Sequence, residues 1–80
     1  MQAAFVSMTE TNITVSVATG VKRTYAITPE TQFLDKAYRV EEAGAFRLKP
    51  GDHLVVTMKA GAAVAVSLKE GDLEWPWRGP

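Results

Sequence analysis

A period of two runs through most of this chain. In Asn12-Ile13-Thr14-Val15-Ser16-Val17-Ala18 the apolar residues Ile13, Val15 and Val17 fall on one face of an extended segment. Asn12, Thr14 and Ser16 fall on the other, as in a half-buried strand. Residues 3–9 read the same way with Val6 and Met8 facing inward, and Thr9-Glu10-Thr11-Asn12 supplies a polar turn, so the two segments predict a hairpin. After Thr19-Gly20, where glycine tolerates a positive φ, Arg23-Thr24-Tyr25-Ala26-Ile27-Thr28 resumes the alternation as a third strand with Tyr25 and Ile27 inward.

Pro29 has no N–H to give a ladder and so ends or bends that strand, with residues 31–34 continuing as a short extended piece. Residues 35–48 fit neither period. Ala37, Val40, Phe46 and Leu48 are irregularly spaced and Gly44 interrupts any long helix, which predicts a short strand or loop and then a single helical turn over 41–46. Lys49-Pro50-Gly51-Asp52 suits a type II turn, with Pro at its second position and Gly at its third. Beyond it, residues 53–59 place Leu54, Val56 and Met58 inward and His53, Val55 and Thr57 outward. Ala60-Gly61-Ala62 turns the chain, and residues 63–68 place Val64, Val66 and Leu68 inward, leaving Ala63, Ala65 and Ser67 as a small-residue face.

Five or six short strands bounded by Gly and Pro turns argue for an all-β fold. The chain is too short for two full sandwich sheets, and closure removes exposed strand edges, so the expectation is a small antiparallel barrel of five to six strands, OB-like or SH3-like. It occupies residues 1–70, with an aromatic C-terminal tail over 71–80. Lys69-Glu70-Gly71-Asp72 in that tail echoes Lys49-Pro50-Gly51-Asp52 at a spacing of twenty, which turn chemistry explains more simply than an internal repeat.

Composition narrows the function. Eighty residues supply one core, and 46% hydrophobic with 22% charged is a globular rather than a disordered mix. Nine basic residues balance nine acidic ones, so no long-range field draws the chain toward nucleic acid or an anionic membrane. With no cysteine there is no disulfide, thiolate metal site or thiol nucleophile. Residues 1–8 lack the basic and apolar regions of a secretory leader, and no apolar run is long enough for a membrane span. The compartment reads as cytoplasmic if these residues are the whole chain, and as envelope or periplasm if a leader has been removed.

Candidate chemistry is sparse. His53, the lone histidine, reads as a surface residue, because Ser7, Ser16 and Ser67 lie in strand patterns without a nucleophile elbow. Glu41 and Glu42 are adjacent and do not share a face. No phosphate loop, metal-ligand spacing or nucleotide fingerprint occurs, so neither catalysis nor a cofactor is expected. Soft-metal binding by Met8, His53 and Met58 is one alternative, since thioethers select Cu(I), although both methionines suit gap-filling in a core. Single-stranded nucleic-acid binding is another, weakened by lysines and arginines scattered among equal numbers of acids. Trp75 and Trp77, at i and i+2 around Pro76, share one side of an extended segment beside Arg78. The tail either folds back to plug a barrel end or exposes these three residues as a contact site for a protein partner.

Ile13-Thr14-Val15-Ser16-Val17, Thr24-Tyr25-Ala26-Ile27-Thr28-Pro29-Glu30-Thr31, Leu48-Lys49-Pro50-Gly51-Asp52-His53-Leu54-Val55-Val56 and Ala63-Val64-Ala65-Val66 together resemble a bacterial family of small β-barrel domains of unknown function, over residues 3–68. That resemblance implies an exported bacterial protein. The chain also resembles, less closely, the periplasmic copper/silver chaperone barrels, in which Trp-Pro precedes spaced methionines. Here Trp75-Pro76 leads into Trp77-Arg78 with no methionine following. The expected function is therefore a non-catalytic barrel module for protein interaction or self-association through Trp75, Trp77 and Arg78.

Overall fold

The computed structural model describes residues 1–42 and 46–79. Six strands appear in chain order: β1 (Gln2–Met8), β2 (Asn12–Ala18), β3 (Val21–Leu34), β4 (Val40–Glu41), β5 (His53–Lys59) and β6 (Ala62–Leu68). They form one mixed sheet in the order β2-β1-β5-β6-β3-β4, and β2 also pairs with β3, so five of the strands close a ring of hydrogen bonds with β4 appended to β3. The described residues contain no helix, and hence none long and apolar enough to cross a membrane.

The turns form where the side chains dictate. Between β1 and β2 the Thr9 hydroxyl accepts the Asn12 amide at 3.1 Å while the Thr9 amide donates to the Asn12 carbonyl at 2.8 Å. At the start of β5 the Asp52 amide donates to the Lys49 carbonyl at 3.0 Å, with Gly51 at φ 93° as a type II turn requires. The β5–β6 connection has positive φ at both Ala60 and Gly61, the backbone of a two-residue type I′ hairpin.

The interior is filled from every strand of the ring. Ile13, Val15, Leu54, Val56 and Val66 are fully buried, as the alternation predicts, and Met8, Val17, Tyr25, Ile27, Met58 and Leu68 pack partly buried against them. Phe33 and Phe46, from segments without a clear period, join the same cluster, their rings 5.2 Å apart and tilted by 48°. Each large side chain buried in this way contributes on the order of 2 kcal/mol.

Three expectations are corrected. The ring is not wholly antiparallel: β3 and β6 run parallel, with Phe33 opposite Val66 and Leu34 opposite Ser67. Residues 28–31 bulge out between them around Pro29, held by the Thr28 amide on the Thr31 hydroxyl at 3.0 Å, and β3 continues past the proline as one strand. Val64 faces solvent at 45% exposure while Ala63 is buried. The register between β5 and β6 slips there, with Thr57 opposite Ala65 but Met58 opposite Ala63. Val64 is thus the extra residue of a bulge, and the small-residue face is reduced to Ala65 and Ser67. A similar slip between Phe5 and Ser7 in β1 leaves Val6 outside the core and puts Phe5 in its place.

Residues 35–48 hold a short strand, as expected. The Asp35 carboxylate accepts the Ala37 and Arg39 amides at 2.8 and 3.0 Å, closing a turn that lets β4 pair back onto Phe33 and Leu34. Of the helical turn expected over 41–46, residues 43–45 lie outside the described residues; Glu41 belongs to β4 instead, paired with Phe33, and the Phe46 amide donates to the Glu42 carbonyl at 3.0 Å.

Candidate functional site

The site begins with the pairing of β1 and β5. Ala4 stands opposite both Ser16 and His53, whereas Ala3 stands opposite Leu54, so Ala4, Ser16 and His53 belong to the outer face of the ring. His53 therefore has the outward register that its sequence position predicts. It is nevertheless only 8% exposed, which corrects its reading as a surface residue: the C-terminal tail covers it.

Three contacts fasten the tail. The His53 Nδ1 lies 3.2 Å from the Gly71 carbonyl, and since a carbonyl only accepts, Nδ1 carries the proton. The Gln2 side-chain amide donates to the Glu74 carboxylate at 3.3 Å. The Trp77 indole rests on Gly51, so closely that a Cβ on residue 51 would sit 2.6 Å from its Nε1. On the strand side, the Lys69 amide donates to the His53 carbonyl at 2.8 Å, which carries the β5–β6 ladder one residue further and aims the tail across this face.

Between tail and sheet lies a cleft of about 860 Å³. Trp75 and Trp77 line it, as does His53, which is the one buried residue among the described residues around it. The two four-residue turns that echo each other in sequence both contribute, Gly51 and Asp52 from one and Lys69, Glu70, Gly71 and Asp72 from the other. Gly51 and Gly71 share nearly the same backbone, with φ of 93° and 94°. Lys36, Leu68, Leu73, Glu74 and Pro76 complete the lining. The interior of the ring is packed, and the cleft lies outside it.

The tail folds back but does not enter the ring, since Phe46 against Phe33 already fills the interior near the end of β3. Trp75 and Trp77 are brought together, half-buried, on one cleft, whereas Arg78 is exposed and stands outside its lining. Met8 and Met58 pack against the core. His53 and Met58 occupy opposite parts of β5, five residues and roughly 16 Å apart along the strand, too far to share one ion. Among the described residues no three His, Cys, Asp or Glu side chains converge on a metal-sized point.

Among the described residues, three buried side-chain polar atoms have no hydrogen-bond partner: His53 Nε2, Gln2 Oε1 and Trp75 Nε1. All three belong to the tail or to the residues it touches. The acids and glycines around the cleft carried no functional signal in the sequence beyond the echo of the two turns. The chain matches no protein-family model, no curated protein and no solved structure.

Proposed function

We propose that this chain is a non-catalytic binding module that holds a segment of a protein, either a partner or a second copy of itself, in the cleft between its tail and the outer face of β5. The observation that carries the reading is the pair of half-buried indoles on one wall of that cleft. Tryptophan is among the side chains that dominate protein interfaces. The described lining includes no hydroxyl or thiol, which favours binding over nucleophilic chemistry.

The ring is read as an OB-like barrel. With β4 set aside its order is β1-β2-β3-β6-β5-β1 with one parallel pair, the order of that five-stranded closed sheet, whereas SH3-like barrels pair antiparallel throughout. Oligonucleotide binding on the β2–β3 face is the weaker reading. Tyr25 packs on the core rather than offering a stacking surface, and Glu10 stands in the adjoining turn.

Selection of a random peptide library on the intact chain, with counter-selection on the Trp75→Ala/Trp77→Ala variant, tests the proposal. Light scattering across a concentration series distinguishes a second copy from another protein. Peptides that bind the intact chain and lose at least about tenfold on the variant support the module. A monomeric chain with no enriched peptide, or with peptides indifferent to the two substitutions, overturns it.

A further inference from the structure

The chemistry around the cleft is one-sided. Among the described residues that line it, the acids Asp52, Glu70, Asp72 and Glu74 outnumber the cations Lys36 and Lys69, so a chain with no net charge carries a local excess of negative charge here. Indole faces are also electron-rich, and Trp75 and Trp77 attract a cation over their rings.

The buried histidine points to the same class of ligand independently. Because Nδ1 donates to the Gly71 carbonyl, Nε2 is the ring atom left to accept in the corresponding tautomer, and it has no hydrogen-bond partner. An unpaired buried acceptor is costly to maintain, which favours a ligand that brings an N–H group to it. Trp75 Nε1, a donor lacking an acceptor, complements a peptide carbonyl.

We infer that the cleft binds an arginine side chain presented by an extended segment of a partner protein. A guanidinium is weakly hydrated, stacks flat on indole and directs several N–H groups along separate lines, so it reaches a carboxylate and a neutral acceptor together; a lysine ammonium does so less well. This inference deepens the module proposed above and rests on it.

The test titrates the intact chain with four probes of matched length: acetyl-Gly-Arg-Gly-amide, its lysine, norleucine and glutamate counterparts. Blocked arginine alone is added as the free-ligand arm. Tryptophan emission and the amide shifts of His53, Gly71 and Asp72 are read. The expected result is saturable binding of the arginine peptide, weaker binding of the lysine peptide and of blocked arginine, and none of the others. Glu70→Gln/Asp72→Asn, at two exposed positions where folding is indifferent, weakens the arginine peptide by roughly tenfold, as the loss of two partly screened charge contacts predicts. Equal binding of blocked arginine overturns the partner segment in favour of a small organic cation. Equal binding of the norleucine or glutamate peptide, or indifference to the charge substitutions, overturns the cation while leaving the module standing if library peptides still bind. Failure of both library and probes overturns both.

Discussion

Trp77 and Gly51 are in contact at a distance that leaves no room for a side chain on residue 51: a Cβ there would lie 2.6 Å from the indole Nε1 and 2.7 Å from Cδ1. The first turn of the echo thus serves as the seat of the tail that the second turn begins. Gly51 meets two demands at once, the positive φ of its turn and the close approach of the indole.

Gly51→Ala therefore lifts Trp77 off the sheet. Its tryptophan emission moves to the red, and the chain loses about 1–2 kcal/mol for the backbone alone. In a Trp77→Ala background the same substitution leaves only the backbone cost, so the two changes are less than additive in urea unfolding. Strict additivity with unshifted emission contradicts the contact.

The bulge at Val64 predicts an inversion along β6. Val64→Lys changes stability by less than about 1 kcal/mol, because the new side chain points to water. Ala63→Lys drives a charge into the core and costs more than about 3 kcal/mol. Chemical denaturation of the two variants decides between this register and the uninterrupted alternation, which demands the opposite order.

Ala60 holds φ 53° in the β5–β6 turn ahead of Gly61 at 80°. A non-glycine residue there is strained, and Asn-Gly is the pair best suited to a type I′ turn, so Ala60→Asn stabilises the chain by about 0.5–1 kcal/mol. The urea midpoint rises with an unchanged slope. A lower midpoint is the contrary outcome.

Asp35 titrates below its ordinary value of 3.8, chiefly because its carboxylate accepts the Arg39 amide, with the Ala37 amide adding to the effect. A group whose pKa is lower folded than unfolded contributes stability above the unfolded value, and that contribution fades as pH falls through the folded one. The β3–β4 turn accordingly holds at neutral pH and loosens in acid. Carboxyl carbon shifts followed by NMR check this, with an Asp35 midpoint below 3.8 expected and one above it excluded.

Much of the fold is legible in the alternation. Ile13, Val15, Leu54 and Val56 lie where a strict period of two places them, and the turns at Thr9 and Gly51 follow from their side chains and φ demands. What the pattern hides is any event that changes the count. A single bulged residue exchanges the two faces of a strand, and nothing adjacent to Val6 or Val64 marks the insertion. The parallel pairing of β3 with β6 joins segments more than thirty residues apart, beyond the reach of local reading. Phe46 acquires its place from Phe33 rather than from its neighbours in sequence.

The cleft was half visible for a related reason. Trp75-Pro76-Trp77 announces a contact surface by residue type, and the echo of the two Gly-Asp turns marks the segments that meet there. His53 looks exposed from its own strand and is buried by a carbonyl eighteen residues later. Tertiary covering of an outward position leaves no trace in local periodicity.

The cleft exists only while the tail is seated against β5 in solution. The most direct measurement is a nuclear Overhauser experiment between the Trp77 indole protons and the Gly51 α-protons. A strong cross-peak, with an ordered Gly71 amide, is predicted. Absence of that cross-peak, with random-coil shifts from Gly71 to Trp77, would show that the tail moves freely and that the cleft does not exist.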